Sequence, residues 1–335
     1  MQSNRKITVA IAIIVAMIFF TFFASLNMGY IRIAPIDVIQ TLFGFGTEKD
    51  ELVLFDFRLP RMVIALLIGA GLAVSGAILQ AVSQNGLADP GILGINAGAG
   101  LAVVLFIYFY QGSSTSLGLD SIFLMPLAAL LGGIFAAFLI YTIAWKKGVT
   151  PIRLILVGIG VNAAFGAALI IFQLRMDPRD FMQATIWLSG SIWGTNWKFV
   201  LAVLPWIFIL IPYTIYKARY LNILNLGDQI ATGLGAAVER ERRLLLVLSV
   251  ALAGSCVAVG GGIAFLGLVA PHLARRIVGP KHQAMLPTSA LMGALLLLIA
   301  DTIGRNLLAP SEIPVGIVVS AIGAPYFIYL LMKTN

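Results

Sequence analysis

Apolar runs long enough to cross a bilayer recur along the whole sequence, and almost none carries an ionisable residue near its centre. A spanning helix needs about 20 such residues, because a rise of about 1.5 Å per residue must cover about 30 Å of hydrocarbon. In that medium every backbone N–H and C=O must find a partner inside the protein, so runs of this kind fold as helices. Ten spans can be drawn, at roughly 7–29, 61–82, 93–111, 123–145, 152–173, 198–217, 244–259, 261–274, 284–304 and 314–332. The 335 residues are 60% hydrophobic and 11% charged, where soluble domains average about 25% charged. The expected fold class is therefore all-α, a polytopic membrane protein in contact with lipid and without room for a large soluble domain.

Two runs need comment. The first, Ile7 to Ala24 behind Arg5 and Lys6, is longer than the core of a signal peptide and lacks a clear small-x-small cleavage site. It reads as a retained span. The eighth is short and holds Gly260, Gly261, Gly262 and Gly267. A broken or tilted segment is expected there, tolerable only where protein or a cavity covers its backbone. In the second span Gly69, Gly71, Ala73, Ser75 and Gly76 set up the small-residue spacing that lets helix backbones approach closely in lipid.

The net charge of +8 would suit a nucleic-acid partner, but its placement argues against one. With the N-terminus inside, 14 of the 22 Lys and Arg fall on the inner side. This is the positive-inside pattern, with both termini in the cytoplasm. The single cysteine, Cys256, lies in an apolar run and allows neither a disulfide nor a cysteine metal site within the chain.

An internal repeat is visible. Pro126-Leu-Ala-Ala-Leu-Leu-Gly132 resembles Pro287-Thr-Ser-Ala-Leu-Met-Gly293, and Pro151 to Gly160 resembles Pro314 to Gly323. Leu87-Ala-Asp-Pro90 follows Ser75 much as Leu268-Val-Ala-Pro271 follows Ser255. The matching segments lie five spans apart, an odd number, so the copies (approximately 58–173 and 240–332, with span one at 7–29 outside them) face opposite ways. Inverted repeats are a recurrent transporter architecture.

What is missing narrows the function. No G-x-x-x-x-G-K-[ST] sequence occurs, so the chain has no P-loop for ATP. His272 and His282 have no partner at metal-ligand spacing, and no catalytic pair or cofactor motif is found. The spans lack the central acids or histidines common in ion-driven carriers. A pathway is present, and its driving force is expected from outside the chain. Two segments are candidate contacts. Leu226-Gly-Asp-Gln-Ile-Ala-Thr-Gly-Leu-Gly235 reads as a short inner helix between glycines, or as an ordinary solvated loop. Arg58, Arg61 and Arg305 lie outside, against the trend. Either they pair with Asp56 and Asp301 or anchor at the interface, or they bind carboxylates of an acidic partner, as a guanidinium can do bidentately.

At this point a resemblance covers nearly the whole chain, from Asp56 to Met332. It rests on Arg58-Leu-Pro-Arg61, Gly69 to Gln80 (GAGLAVSGAILQ), Asn85 to Gly94 (NGLADPGILG), Gly262 to Arg276 (GIAFLGLVAPHLARR), Leu286 to Arg305 and Ser311 to Leu331. These stretches resemble the permease subunits of ATP-binding-cassette (ABC) importers for ferric siderophores, haem and cobalamin, the FecCD or BtuC-like family. The resemblance implies a ten-span fold in a bacterial cell membrane. It also implies a second permease subunit, identical or paralogous, two ABC ATPase subunits and an extracytoplasmic substrate-binding protein. It places binding-protein docking on Arg58, Arg61 and Arg305, and ATPase coupling on Leu226, Gly227, Asp228, Ala231, Leu234 and Gly235. A cytoplasmic gate falls on Thr150, Pro151 and Ile152. A ferric siderophore is the expected substrate, with haem or cobalamin as the alternatives within the family and an ion-coupled carrier as the rival outside it.

Overall fold

The computed structural model describes residues 4–29, 33–110, 121–146 and 148–333, and among these every regular element is helical. Arg32 and Lys147, both counted in the charge balance, lie outside the described residues. Ten principal helices follow one another: α1 (Asn4–Asn27), α2 (Leu59–Val82), α3 (Ile95–Tyr110), α4 (Ser121–Ala144), α5 (Pro151–Gln173), α6 (Trp197–Tyr216), α7 (Val238–Gly260), α8 (Leu266–Val278), α9 (His282–Asn306) and α10 (Val315–Lys333). Eight are long and apolar enough to cross a membrane. The two shorter ones, α3 and α8, occupy the third and eighth positions of the series. Shorter helices at Pro35–Leu42, Pro178–Leu188, Ala218–Leu224 and Asp228–Gly233 were not legible as spans because they are not spans.

The core is built around α2. It is apolar on every side and buried on every side, the pattern of a helix surrounded by other helices. It packs against α9, α7, α8 and α6. Close approach is what its glycines provide. A Cβ on Gly76 would lie 1.9 Å from the Gly267 carbonyl oxygen of α8, and one on Gly69 would lie 2.4 Å from that of Gly293 on α9. Backbones in direct contact gain dispersion energy that larger side chains would prevent, which is how helices associate where lipid removes the hydrophobic driving force.

The chain breaks between α7 and α8, as the glycine cluster suggested. Gly261 and Phe265 both take left-handed φ values, 70° and 65°. The exposed backbone is covered by protein: the Gly262 N–H donates to Trp187 O at 3.3 Å, and the Gly316 N–H to Gly190 O at 2.9 Å. The turn after the helix Pro178–Leu188 is thus the cover that lets α8 start inside the bundle.

Two helix starts differ from expectation by five residues or more, and α8 is one of them, beginning at Leu266 rather than 261 because the break occupies the residues between. Helix α7 begins at Val238, six residues before the apolar run, and carries Glu239 to Arg243 on its first two turns. Three of these five charges are paired, Arg242 with Glu239 at 3.3 Å and Glu241 with Lys217 at 2.9 Å, while Arg240 and Arg243 are exposed. Pairing makes a charged turn compatible with helix, so the helix outlasts its apolar pattern.

Candidate functional sites at the two ends of the bundle

At one end three arginines converge. The π-helical turn Leu52–Arg58 runs without interruption into α2, so Arg58 and Arg61 sit one turn apart. From Arg58 to Val82 the helix extends about 36 Å, longer than the hydrocarbon core, which puts the arginines at its edge. Arg305 lies in the last turn of α9, four residues after Asp301. The Asp301 carboxylate, fully buried, stands between them. Its Oδ1 accepts from Arg61 Nε at 2.8 Å, and its Oδ2 lies 3.1 Å from Arg305 Nε. Glu312, in the segment leading to α10, accepts from Arg61 Nη1 at 2.7 Å. Arg305 Nη2 also donates to Ser25 Oγ, and Arg58 Nη1 to Leu26 O, which ties α1 to the cluster.

Pairing with Asp301, one of the two readings of these arginines, is present, whereas Asp56 is exposed. The arginines are 5%, 8% and 7% exposed. They nevertheless share one cavity of about 200 Å³, whose wall also includes Gly29, Phe57 and Glu312. Among the described residues, three guanidinium groups and two carboxylates meet at that cavity, an excess of positive charge. Glu312 leaves no local pattern in the chain, because its partner Arg61 is 251 residues away.

The opposite end holds the other candidates. Gly227, with φ 95°, starts the helix Asp228–Gly233, and Gly235, with φ 80°, ends the turn after it. Leu226, Ile230 and Leu234 recur every four residues and are all more than half exposed, while Ala231 is fully buried. The short helix therefore presents an apolar ridge outward and rests on its alanine face. Thr150 occupies the position before α5 in extended backbone, without a side-chain capping bond, Pro151 occupies the first turn, and Ile152 is 73% exposed.

These two segments are joined by Arg242. Its Nη2 lies 2.5 Å from Asp228 Oδ1 in the short helix, and its Nη1 donates to Val149 O at 2.8 Å, beside Thr150. Glu239 closes the link, taking the Val149 N–H at 3.2 Å and Arg242 at 3.3 Å. Arg153 Nη1 donates to Ala144 O at 3.2 Å and holds the same turn onto α4. Arg242 was not singled out from sequence. The available signal was the i, i+3 Glu–Arg spacing at the head of an apolar helix, a pattern common enough to carry little weight alone. His282 is a structural residue here: buried, its Nδ1 lies 2.7 Å from Asn222 Oδ1, fastening α9 to the helix Ala218–Leu224.

Comparison with known proteins agrees with this architecture. The model of the FecCD transport family matches residues 16–333. The iron(3+)-hydroxamate import system permease protein FhuG of Bacillus subtilis is 66% identical over 332 residues, covering 99% of both chains. The iron-uptake system permease protein FeuC of the same organism is 44% identical, covering 96% of each. Among solved structures, an inward-facing conformation of a putative metal-chelate type ABC transporter superposes with a TM-score of 0.82 at 30% identity, covering 96% of this chain and 98% of that one. A match over nearly the full length in family, relatives and fold has one meaning: this chain belongs to the FecCD transport family.

Proposed function

We propose that the chain is the permease subunit of a binding-protein-dependent ABC importer that carries ferric hydroxamate siderophores across a bacterial cell membrane. The observation that carries this reading is the 66% identity to an iron(3+)-hydroxamate permease along 99% of both chains. Energy comes from separate ATPase subunits, consistent with the lack of a P-loop sequence. The lysine- and arginine-rich end, with both termini, faces the cytoplasm. The Arg58–Arg61–Arg305 end then faces out.

In this reading a loaded binding protein docks at the outer end, its carboxylates drawn by the surplus charge of the arginine cavity. The ATPase seats on the ridge of Leu226, Ile230 and Leu234, with Gly227, Asp228, Ala231 and Gly235 shaping that helix. Its movement reaches the gate at Thr150, Pro151 and Ile152. A second permease subunit completes the pathway. Each permease is itself two inverted repeats, 58–173 and 240–332. Support for the repeats comes from packing pairs that exchange when the halves are exchanged: α2 with α9 and α7 with α4, α3 with α4 and α8 with α9. On the contact between α2 and α7, Ser75 Oγ lies 2.9 Å from Ser249 O and Ser249 Oγ lies 3.2 Å from Ser75 O.

The test is reconstitution in vesicles with the ATPase, binding protein and partner permease. Uptake of an iron-loaded hydroxamate should require ATP on the ATPase side and the binding protein on the other. Uptake driven by an ion gradient with no ATPase present would overturn the proposal.

A further inference from the structure

One apolar groove of the described bundle lies away from the arginine cavity and beside the Arg242 link. It runs between α4, α6 and α7, with Leu154 of α5 at one side, and has a volume of about 440 Å³. Its walls are hydrocarbon and aromatic, with Leu130, Phe138, Trp206 and Val250 along its length. Polar chemistry is confined to one end. There Tyr141 and Arg243 continue into a second hollow of about 340 Å³, completed by Thr142 and Trp145.

Thr142 of this mouth is committed within the chain, its Oγ1 donating to Leu139 O at 2.9 Å, but the cation is not. Arg243 is exposed and, among the described residues, forms no ion pair, unlike its neighbour Arg242. Its guanidinium stands 6.0 Å from the Trp145 ring centroid. Tyr141 Oη is buried and has no hydrogen-bond partner of normal geometry. The groove thus offers a cation, a hydroxyl and an indole at one end, and only hydrocarbon beyond.

We propose that this groove holds one acidic phospholipid, its acyl chain lying along α4 and its phosphate against Arg243 and Tyr141. Length fits. From Leu130 to Tyr141 the helix rises about 16 Å, and one leaflet's share of the hydrocarbon core is about 15 Å. Depth fits too, because Trp145 and Arg243 sit at a helix end, where indole rings and snorkelling cations meet headgroups. Charge complementarity selects an anionic headgroup, since a guanidinium binds a phosphate bidentately and a zwitterionic lipid brings its own competing cation. A protein partner would need to match an unbroken apolar trough with a single cation at its end, whereas one phospholipid does so by construction. The inference rests on the membrane fold alone and holds whatever substrate is carried. Arg243 adjoins Arg242, so an occupied groove would brace the link between the short helix and the start of α5.

The experiment is native mass spectrometry of the assembled importer released from detergent after titration with phosphatidylglycerol or phosphatidylcholine. Wild type should retain one phosphatidylglycerol per permease chain at least fivefold more readily than phosphatidylcholine. Arg243→Gln should abolish that preference, Arg243→Lys should keep most of it, and Ala251→Phe, which fills the trough, should lower retention of both lipids. Melting curves identify any variant that fails to fold, and in that event the Lys variant and wild type alone decide the matter. Equal retention of the two lipids by wild type, an unchanged preference in Arg243→Gln, or a Phe138→Cys cross-link showing another protein seated on the groove would overturn the proposal.

Discussion

Removing the Arg242 guanidinium while keeping a polar side chain, as in Arg242→Gln, should uncouple ATP hydrolysis from transport. The structure sets the magnitude. Arg242 is 3% exposed, and its bond to the Val149 carbonyl at 2.8 Å is buried with it. Losing a charged hydrogen bond to a buried acceptor costs about 1.5–3 kcal/mol. The side chains of Asp228 and Glu239 are 44% and 39% exposed, so water replaces the cation there and each pair contributes only about 0.2–1 kcal/mol. The link as a whole is therefore worth about 2–5 kcal/mol, or about 30- to 4,000-fold in the population that keeps the two segments joined. Hydrogen–deuterium exchange on the permease should accelerate by a comparable factor at 226–235 and at 148–152, and not in α2. In the reconstituted importer, ATP turnover should persist while substrate carried per ATP falls. Arg242→Lys should lie between, because an ammonium is a single point charge and cannot hold two divergent acceptors at once. If Arg242→Gln speeds exchange at both segments and leaves transport per ATP unchanged, the contact is real but the coupling argument is wrong. If exchange is unchanged, the geometric argument is wrong as well.

Four further outcomes follow from the same structure. Asp301→Asn takes the carboxylate partner from buried Arg305 and one of the two from Arg61, and should destabilise the fold by about 3–5 kcal/mol; Glu312→Gln, whose carboxylate is 33% exposed, should cost about 1 kcal/mol or less, and equal shifts in melting would contradict this. Leu234→Asp changes an exposed residue, so melting should move within about 0.5 kcal/mol while binding of the ATPase subunit is lost; retained binding would remove the ridge from the interface. Gly76→Ala places a methyl group inside the Gly267 backbone and should cost at least about 1–3 kcal/mol, whereas Gly160→Ala, with open space around it, should be tolerated in a melting assay. Asp89, in the segment between α2 and α3, is raised by burial to about 6 despite accepting the Gly91 N–H. A raised carboxyl favours its protonated form in the fold, so its contribution is full in acid and is lost as pH rises from about 3.8 through about 6. Melting should improve from pH 7.5 to pH 5, and Asp89→Asn should flatten that slope while keeping the cap.

The helices were legible because hydrocarbon forces a simple rule on the sequence: apolar length equals span. Where that rule fails, reading failed with it. Helix α7 extends past its apolar run because Glu239, Glu241 and Arg242 find ion-pair partners, and partners 24 residues away in sequence, as for Glu241 and Lys217, leave no local pattern. The break at Gly261 was legible, since adjacent glycines announce it, but its cover was not, because Trp187 and Gly190 lie in and just after a helix too short to count as a span. Arg58, Arg61 and Arg305 were conspicuous as charges set against the expected inside bias of the sequence. Their burial was invisible, because it depends on Asp301 and Glu312 arriving from the far end of the chain.

Burial also separates what is fixed from what is free to move. The spans containing α2, α7 and α9 are 83%, 67% and 61% buried, and glycine contacts lock α2 onto α9 at the level of backbone. Packed interiors shift between discrete arrangements at considerable cost, so this trio acts as a frame. Helix α5 is only 17% buried, and Gly160 and Gly166 on it face open space. Its start is held by three side chains: Arg153, which ties the turn to α4, Glu239, which takes the Val149 N–H, and Arg242, which ties it to the short helix at 228–233. A push on that helix therefore arrives at the head of α5 without requiring α2 to repack. The least embedded central helix is thus also the one whose first turn carries Thr150, Pro151 and Ile152. That gives a gate at this place a mechanical reason, independent of any resemblance between sequences.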